Sequence, residues 1–180
     1  MKKVVCYFLF HLISYNCLAE DKDMIPPLSP GEGYAILPLS IHGTPPKSVK
    51  LQDPKSFGKS YIFKSPATGN NFKIIKLPAG NYRWTKVIAN RSYLFNLKEK
   101  QFDLIIHEGA INYGGHLTID INWTFGTATF DYLNRSSETI EELENCCQKL
   151  LEQHPLTFTG NTKDPFIKFY LETIQMDSTK

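Results

Sequence analysis

Four side chains within fourteen positions, His107, Glu108, His116 and Asp120, are of the types that ligate a transition metal. Imidazole and carboxylate bind zinc and its neighbours when three or four such groups converge on one point. The Gly114-Gly115 pair reads as a turn that would fold one strand back on another and bring them together. Spacing alone does not fix that convergence, and the chain contains no HExxH or CxxC motif. The expectation is therefore ordinary polar residues of strands and loops, with no cofactor. A secreted metal-dependent enzyme or metal-binding protein using the His107/His116 region is the alternative.

Nucleophilic chemistry has less to build on. A hydrolase needs Ser or Cys beside His and an orienting acid, and none of the serines lies in a G-x-S-x-G elbow. Gly31-Glu32-Gly33 precedes a predicted strand, the wrong order for a nucleotide-binding loop. The chain has four cysteines, Cys6, Cys17, Cys146 and Cys147. The adjacent pair Cys146 and Cys147 is a candidate redox pair. Bridging neighbours distorts the backbone, so two free thiols packed by a helix are expected.

Aromatic residues are spread over most of the predicted strands: Phe57, Tyr61, Phe63, Tyr82, Trp84, Tyr93, Phe95, Trp123, Phe125, Phe130 and Tyr132. Sandwich cores use such residues routinely, and core packing is expected here. An exposed row would instead take a glycan or a peptide, and a solvent-accessible Trp84 or Trp123 would point that way.

The elements that must position these groups are mostly strands. Residues 20–32, with Pro26, Pro27 and Pro30, read as a flexible polar lead-in. From Gly33 to residue 133, short runs of alternating apolar residues are separated by turn signals every eight to twelve residues, the pattern of an antiparallel β-sandwich. Pro38 marks an edge or bulge in the first run, and Leu77-Pro78-Ala79-Gly80 reads as a tight reversal. Helical periodicity appears only within 134–180: Ile140, Leu143, Cys147, Leu150 and Leu151 make one stripe. Thr139 with Glu142 suits a capping box, and Pro155 ends the helix. In the tail, Asp164-Pro165 resembles a helix start, but Ile167, Phe169 and Leu171 alternate with polar neighbours, and a strand is expected. The fold class is mainly β, an antiparallel sandwich of prealbumin or immunoglobulin type with one C-terminal α-helix packed on the same domain.

The stretch Leu77-Pro78-Ala79-Gly80-Asn81-Tyr82 resembles the LP-x-G-x-Y turn and strand of transthyretin-like and carboxypeptidase-regulatory-like β-sandwich domains. Glu108-Gly109-Ala110-Ile111-Asn112-Tyr113-Gly114-Gly115 is similar to the PG-x-x-Y-x-G segment that follows it in small exported bacterial domains, including DUF2846-like proteins, with Glu108 where those domains carry Pro. The resemblance covers roughly residues 33–131. It implies a sandwich fold and a non-catalytic role, and it carries over no catalytic residue.

The N-terminus supplies an address. Lys2 and Lys3 precede an apolar run from Val4 to Tyr15, and Ala19 is a small residue before Glu20. These are the three parts of a signal peptide, expected to be cleaved after residue 19. The run is shorter than the ~20 residues of a membrane span, and no other long apolar segment follows. Lipidation at Cys17 is the alternative, poorly matched by Tyr15 and Asn16 before it. Cleavage removes Cys6, Cys17 and two of the 20 basic residues, leaving 18 basic against 18 acidic side chains. A balanced charge argues against nucleic acid as a partner. The sequons at Asn90, Asn122 and Asn134 matter only in a eukaryotic secretory pathway, whereas the short Lys-Lys n-region is of bacterial type. Together these features predict an exported, periplasmic or extracellular, non-catalytic interaction or structural module. Its expected partner is an envelope protein, glycan or peptide.

Overall fold

The computed structural model describes residues 25–55 and 59–177, with side chains to residue 173. The predicted signal segment, Cys17, residues 20–24 of the lead-in and Phe57 lie outside the described residues. In chain order the elements are β1 (Glu32–Ile36), β2 (Leu39–Gly43), β3 (Ser48–Gln52), β4 (Ser60–Lys64), β5 (Gly69–Asn71), β6 (Ile74–Pro78), β7 (Gly80–Ile88) and β8 (Leu94–Asn96). A single 3₁₀ turn at Lys100–Phe102 leads to β9 (Asp103–Ile106), β10 (Ile111–Tyr113), β11 (His116–Asn122) and β12 (Thr127–Leu133). Then come α1 (Ser136–Gln153), β13 (Leu156–Phe158) and α2 (Pro165–Asp177). The protein is mainly β, with two α-helices among the described residues.

The first sheet runs β13-β10-β1-β6 and the second β12-β11-β2-β5. They are two halves of one bent surface, because three chain segments pass from one to the other. β1 continues into β2 through Leu37-Pro38, β10 into β11 through Gly114-Gly115, and β5 into β6 through Phe72-Lys73. The bend is stitched by Leu37 N–H to Lys73 O (2.9 Å) and Leu117 N–H to Pro38 O (3.2 Å). Gly114-Gly115 is thus a bend within one strand path, and it does not fold β10 back on β11. A Cβ on Gly114 would run into Leu104 and stand 2.8 Å from Tyr132 Oη, and Gly115 has φ +142°, so glycines alone let the strand bend against Tyr132.

The pairing is not purely antiparallel. β1–β10, β10–β13 and β11–β2 are parallel. Alternation of side chains encodes which face a residue takes but not the direction of the neighbouring strand. Tyr34-Ala35-Ile36-Leu37 and Ile111-Asn112-Tyr113 are buried throughout, as expected of strands covered on both faces. The third sheet runs β4-β3-β7-β8 and is antiparallel, with β9 also on β7. Arg83 holds β7 to β9 through a two-pronged contact with Asp103. The Pro78-Ala79-Gly80 corner carries the chain from the first sheet to the third and is not a hairpin. Tyr82 Oη donates to Pro78 O (3.0 Å) across that corner.

Two apolar clusters follow from the alternation. Ala35, Leu37, Leu39, Ile41, Trp84, Leu117 and Ile119 point between the sheets. Tyr34, Ile36, Ile111 and Tyr113 point from the opposite face of the first sheet onto Ile140, Leu143, Leu150 and Ile167 of the helices. Residues 25–31 are docked, correcting the flexible reading of this part of the lead-in. Ile25 and Leu28 pack on the helix-side cluster. Pro26 O accepts from Tyr34 Oη (3.1 Å) and Pro27 O from Lys76 Nζ (2.8 Å).

Helix α1 begins four residues earlier than a capping box on Thr139 implies, with Arg135 at the N-cap position and Asn134 Oδ1 accepting the Ser136 N–H (3.0 Å). The tail is helical, correcting the strand expectation. Asp164 Oδ1 accepts from the N–H groups of Phe166 (2.9 Å) and Ile167 (3.2 Å), which caps α2. Ile167, Tyr170 and Leu171, three and four apart, reach the apolar cluster, while Phe169 stays exposed. No helix among the described residues is long and apolar enough to cross a membrane.

Candidate binding surface

The four predicted ligand residues take up separate structural duties. His107 is exposed at the end of β9, and its backbone is tied to Asn112 by N–H to Oδ1 (2.9 Å) and Nδ2–H to O (3.1 Å). Asn112 is fully buried and donates also to Tyr34 O (3.1 Å) and Ala110 O (3.0 Å). It was not singled out in the sequence, where nothing distinguishes it from a turn asparagine. Glu108 is exposed and its Oε1 accepts the Gly31 N–H (2.7 Å), fixing the start of β1. Asp120 points outward from β11, level with His42 on β2 and Thr129 on β12. His116 is buried under α1, with Nε2 2.7 Å from Ser40 Oγ. Among the described residues, no three His, Cys, Asp or Glu side chains gather to hold a metal ion.

The Ser40–His116 contact has the elements of a nucleophile and base, but its geometry is that of a satisfied polar pair. Ser40 is buried, and its hydroxyl donates to Asn70 Oδ1 (2.7 Å), away from the imidazole. Burial, with a smaller contribution from the Arg135 cation, holds the His116 pKa down at about 4. The ring is therefore neutral near pH 7. A cleft of about 500 Å³ lies over it, bordered by Asn70, Phe72, Glu138, Glu142 and Asn145.

Cys146 and Cys147 are joined in a disulfide, correcting the expectation of two free thiols. The helix gives way locally: Cys147 has φ −146° and ψ 37°, non-helical values inside α1. Cys146 is exposed and Cys147 half-buried, packed against the helix-side cluster.

A different set of residues makes the most distinctive surface. Three connections meet at one end of the sheets: the β2–β3 loop, the β7–β8 loop and the β11–β12 hairpin. Thr44 N–H donates to Ile121 O (2.8 Å) and Lys47 N–H to Ile88 O (2.8 Å), which ties them together. Asn90 Oδ1 accepts from Ser92 N–H (2.8 Å) and Tyr93 N–H (3.0 Å), and Asn122 Oδ1 from Thr124 N–H (3.0 Å) and Phe125 N–H (3.3 Å). Such asparagine-centred turns fix the loop backbone locally, and Gly126 (φ +65°) closes the hairpin.

These turns present aromatic rings to solvent. Trp123 is 40% exposed, Tyr93 54%, Phe125 78% and the adjoining Leu94 46%. Tyr93 and Trp123 rest on each other with centroids 4.9 Å apart and planes inclined at 49°. The stripe Tyr93-Phe95-Leu97 shows how this arises. Leu97 is buried, Phe95 lies against Phe130 (5.2 Å), and Tyr93, nearest the loop, has run past the core. Trp84 is buried between the sheets as expected, whereas Trp123 is accessible, the condition under which sequence reasoning favours a glycan or peptide surface. The signal available beforehand was an Asn three positions ahead of an aromatic, Asn90 before Tyr93 and Asn122 before Phe125, with Gly126 at the hairpin tip.

No protein-family model matches the chain, and no curated protein or solved structure matches it either.

Proposed function

We propose that this protein is an exported, non-catalytic interaction module of the bacterial envelope or extracellular space, binding a polypeptide partner at the end that carries Tyr93, Trp123 and Phe125. The carrying observation is that cluster of exposed rings, held on short turns pinned by Asn90 and Asn122. Rigid aromatic side chains bury large area at little entropic cost and dominate the energetics of protein interfaces. The inclined Tyr93 and Trp123 rings offer a wedge in place of the flat platform on which a sugar ring stacks, and Leu94 and Phe125 beside them are apolar. Both features favour apolar side chains of a peptide over a glycan.

Export rests on the basic, apolar and small-residue regions of the N-terminus. A Cys146–Cys147 disulfide accords with an oxidising compartment. The transthyretin-like resemblance of residues 33–131 belongs to the same reading. Intact mass of the secreted protein tests the address. Loss of residues 1–19 is expected, whereas a retained N-terminus contradicts export by cleavage and a lipid-modified Cys17 makes it an anchored module. Binding is tested by titrating extended peptides bearing Leu and Phe, with cell-wall glycan fragments as the competing class, against the protein and its Trp123→Ala variant. Peptide binding that the substitution abolishes is the expected outcome.

A further inference from the structure

We infer that Cys146–Cys147 is a site of thiol–disulfide exchange with an external dithiol, and that the exchange resets the backbone of α1 and the groove beside it. The pair lines two depressions along α1. One, of about 740 Å³, includes Ile25, Leu28, Tyr34, Leu150 and His154; the other, of about 510 Å³, includes Pro26, Phe72 and Ile74. The sulfurs thus sit where the docked lead-in meets the helix, and Cys146 is open to an attacking thiolate.

The coupling to backbone comes from helix geometry. Successive side chains in an α-helix point about 100° apart around its axis, so the sulfurs of neighbouring cysteines diverge in a regular helix. A bond between them requires a non-helical residue, and Cys147 is that residue. In the exchange, a thiolate of the external dithiol attacks one sulfur, breaking the Cys146–Cys147 bond and forming a mixed disulfide. Its second thiolate then attacks that mixed disulfide. The dithiol leaves as its own disulfide, oxidised by two electrons, and Cys146 and Cys147 become two thiols carrying the dithiol's two protons. With the bond gone, Cys147 is free to take helical angles and α1 to run unbroken.

The two halves of α1 are anchored separately. Ile140 and Leu143 pack in the helix-side cluster, while beyond the kink Leu150 packs there too and His154 Nδ1 lies 2.9 Å from Gly109 O. Straightening must therefore displace something between them. The segment 25–28 borders the groove and is held by bonds to Pro26 O and Pro27 O. Reduction is expected to loosen it and reshape the groove.

The test is a titration of the purified protein with dithiothreitol, counting thiols by alkylation and mass and following helicity at 222 nm and amide exchange. Two thiols appearing per chain, with a rise in helical signal, about fivefold slower exchange just after Cys147 as an intact helical bond replaces a broken one, and faster exchange at 25–28, is the expected result. The Cys146→Ser/Cys147→Ser variant should show the reduced pattern and no response to dithiol. Two free thiols after air or glutathione-disulfide oxidation, or reduction that leaves helicity and exchange unchanged, would overturn the inference. Should the double variant not fold, the wild-type titration decides alone. The aromatic end is not involved, so neither result bears on peptide binding there.

Discussion

His116 shows how one side chain can carry the chemistry of a site and yet serve packing. A sequence gives its type and its neighbours at 107, 108 and 120, and those suggest ligands. It does not give the covering helix, which buries the ring and leaves Ser40 as its partner. The consequence is measurable. The folded-state pKa of about 4 lies below the ordinary 6.5, so the unfolded chain binds a proton that the folded one refuses between those values. Stability from this group is fully present above pH 6.5 and is lost as pH falls toward 4. Between about pH 7.5 and 4.5 the loss amounts to roughly 2–3 kcal/mol, from 1.36 kcal/mol per unit of pKa difference. Denaturant unfolding of wild type and His116→Gln across that range should show the substitution removing that share of the acid sensitivity. An identical pH slope in the two proteins would mean that His116 is not buried neutral.

At the scale of elements, the strands within 33–133 were largely readable, but β13 beyond them was not, and neither was strand company. The alternation in 33–133 identified which segments are extended, because the period of two marks a half-buried face. It could not reveal that β1, β10 and β13 run parallel, since direction is decided by the connections. The tail failed for a related reason. Over Ile167 to Leu171 an alternating pattern and a helical one share Ile167 and Leu171, and the deciding information lay in Asp164-Pro165. Asp164 caps two N–H groups of α2, so Asp164→Ala should cost about 1 kcal/mol. The loss should appear as faster amide exchange at the start of α2, where the two capped N–H groups lie. Unchanged exchange there would remove the cap from the account. Helix α1 makes the complementary point. Its stripe was legible, but the interruption at Cys147 was not, because it arises from a covalent bond that periodicity does not encode.

For the whole molecule, the class was legible and the working surface only in part. Short strands and frequent turns implied a mainly β protein, and the structure has that form. The bend through Pro38, Phe72-Lys73 and Gly114-Gly115 divides the molecule into a sheet-on-sheet body and a helix-covered end. The aromatic loops sit on the body, away from the helices. Trp123 could not be assigned to solvent in advance, because a tryptophan in a β-rich stretch is ordinarily core, as Trp84 is. The difference is that Trp123 falls just beyond β11, where Asn122 turns the chain. That difference also supplies the probe. The chain has two tryptophans, and only Trp123 reaches solvent, so a ligand-induced change in emission reports on the loop end. The most direct test is a fluorescence titration with extended Leu- and Phe-bearing peptides, beside glycan fragments, using wild type, Trp123→Ala and Phe125→Ala. The account predicts a saturable emission shift with peptides alone, weakened about tenfold or more by Phe125→Ala as for an interface anchor. By an independent readout, binding should be lost in Trp123→Ala. A shift with glycans and not peptides, or peptide binding by Trp123→Ala as tight as wild type, would contradict it.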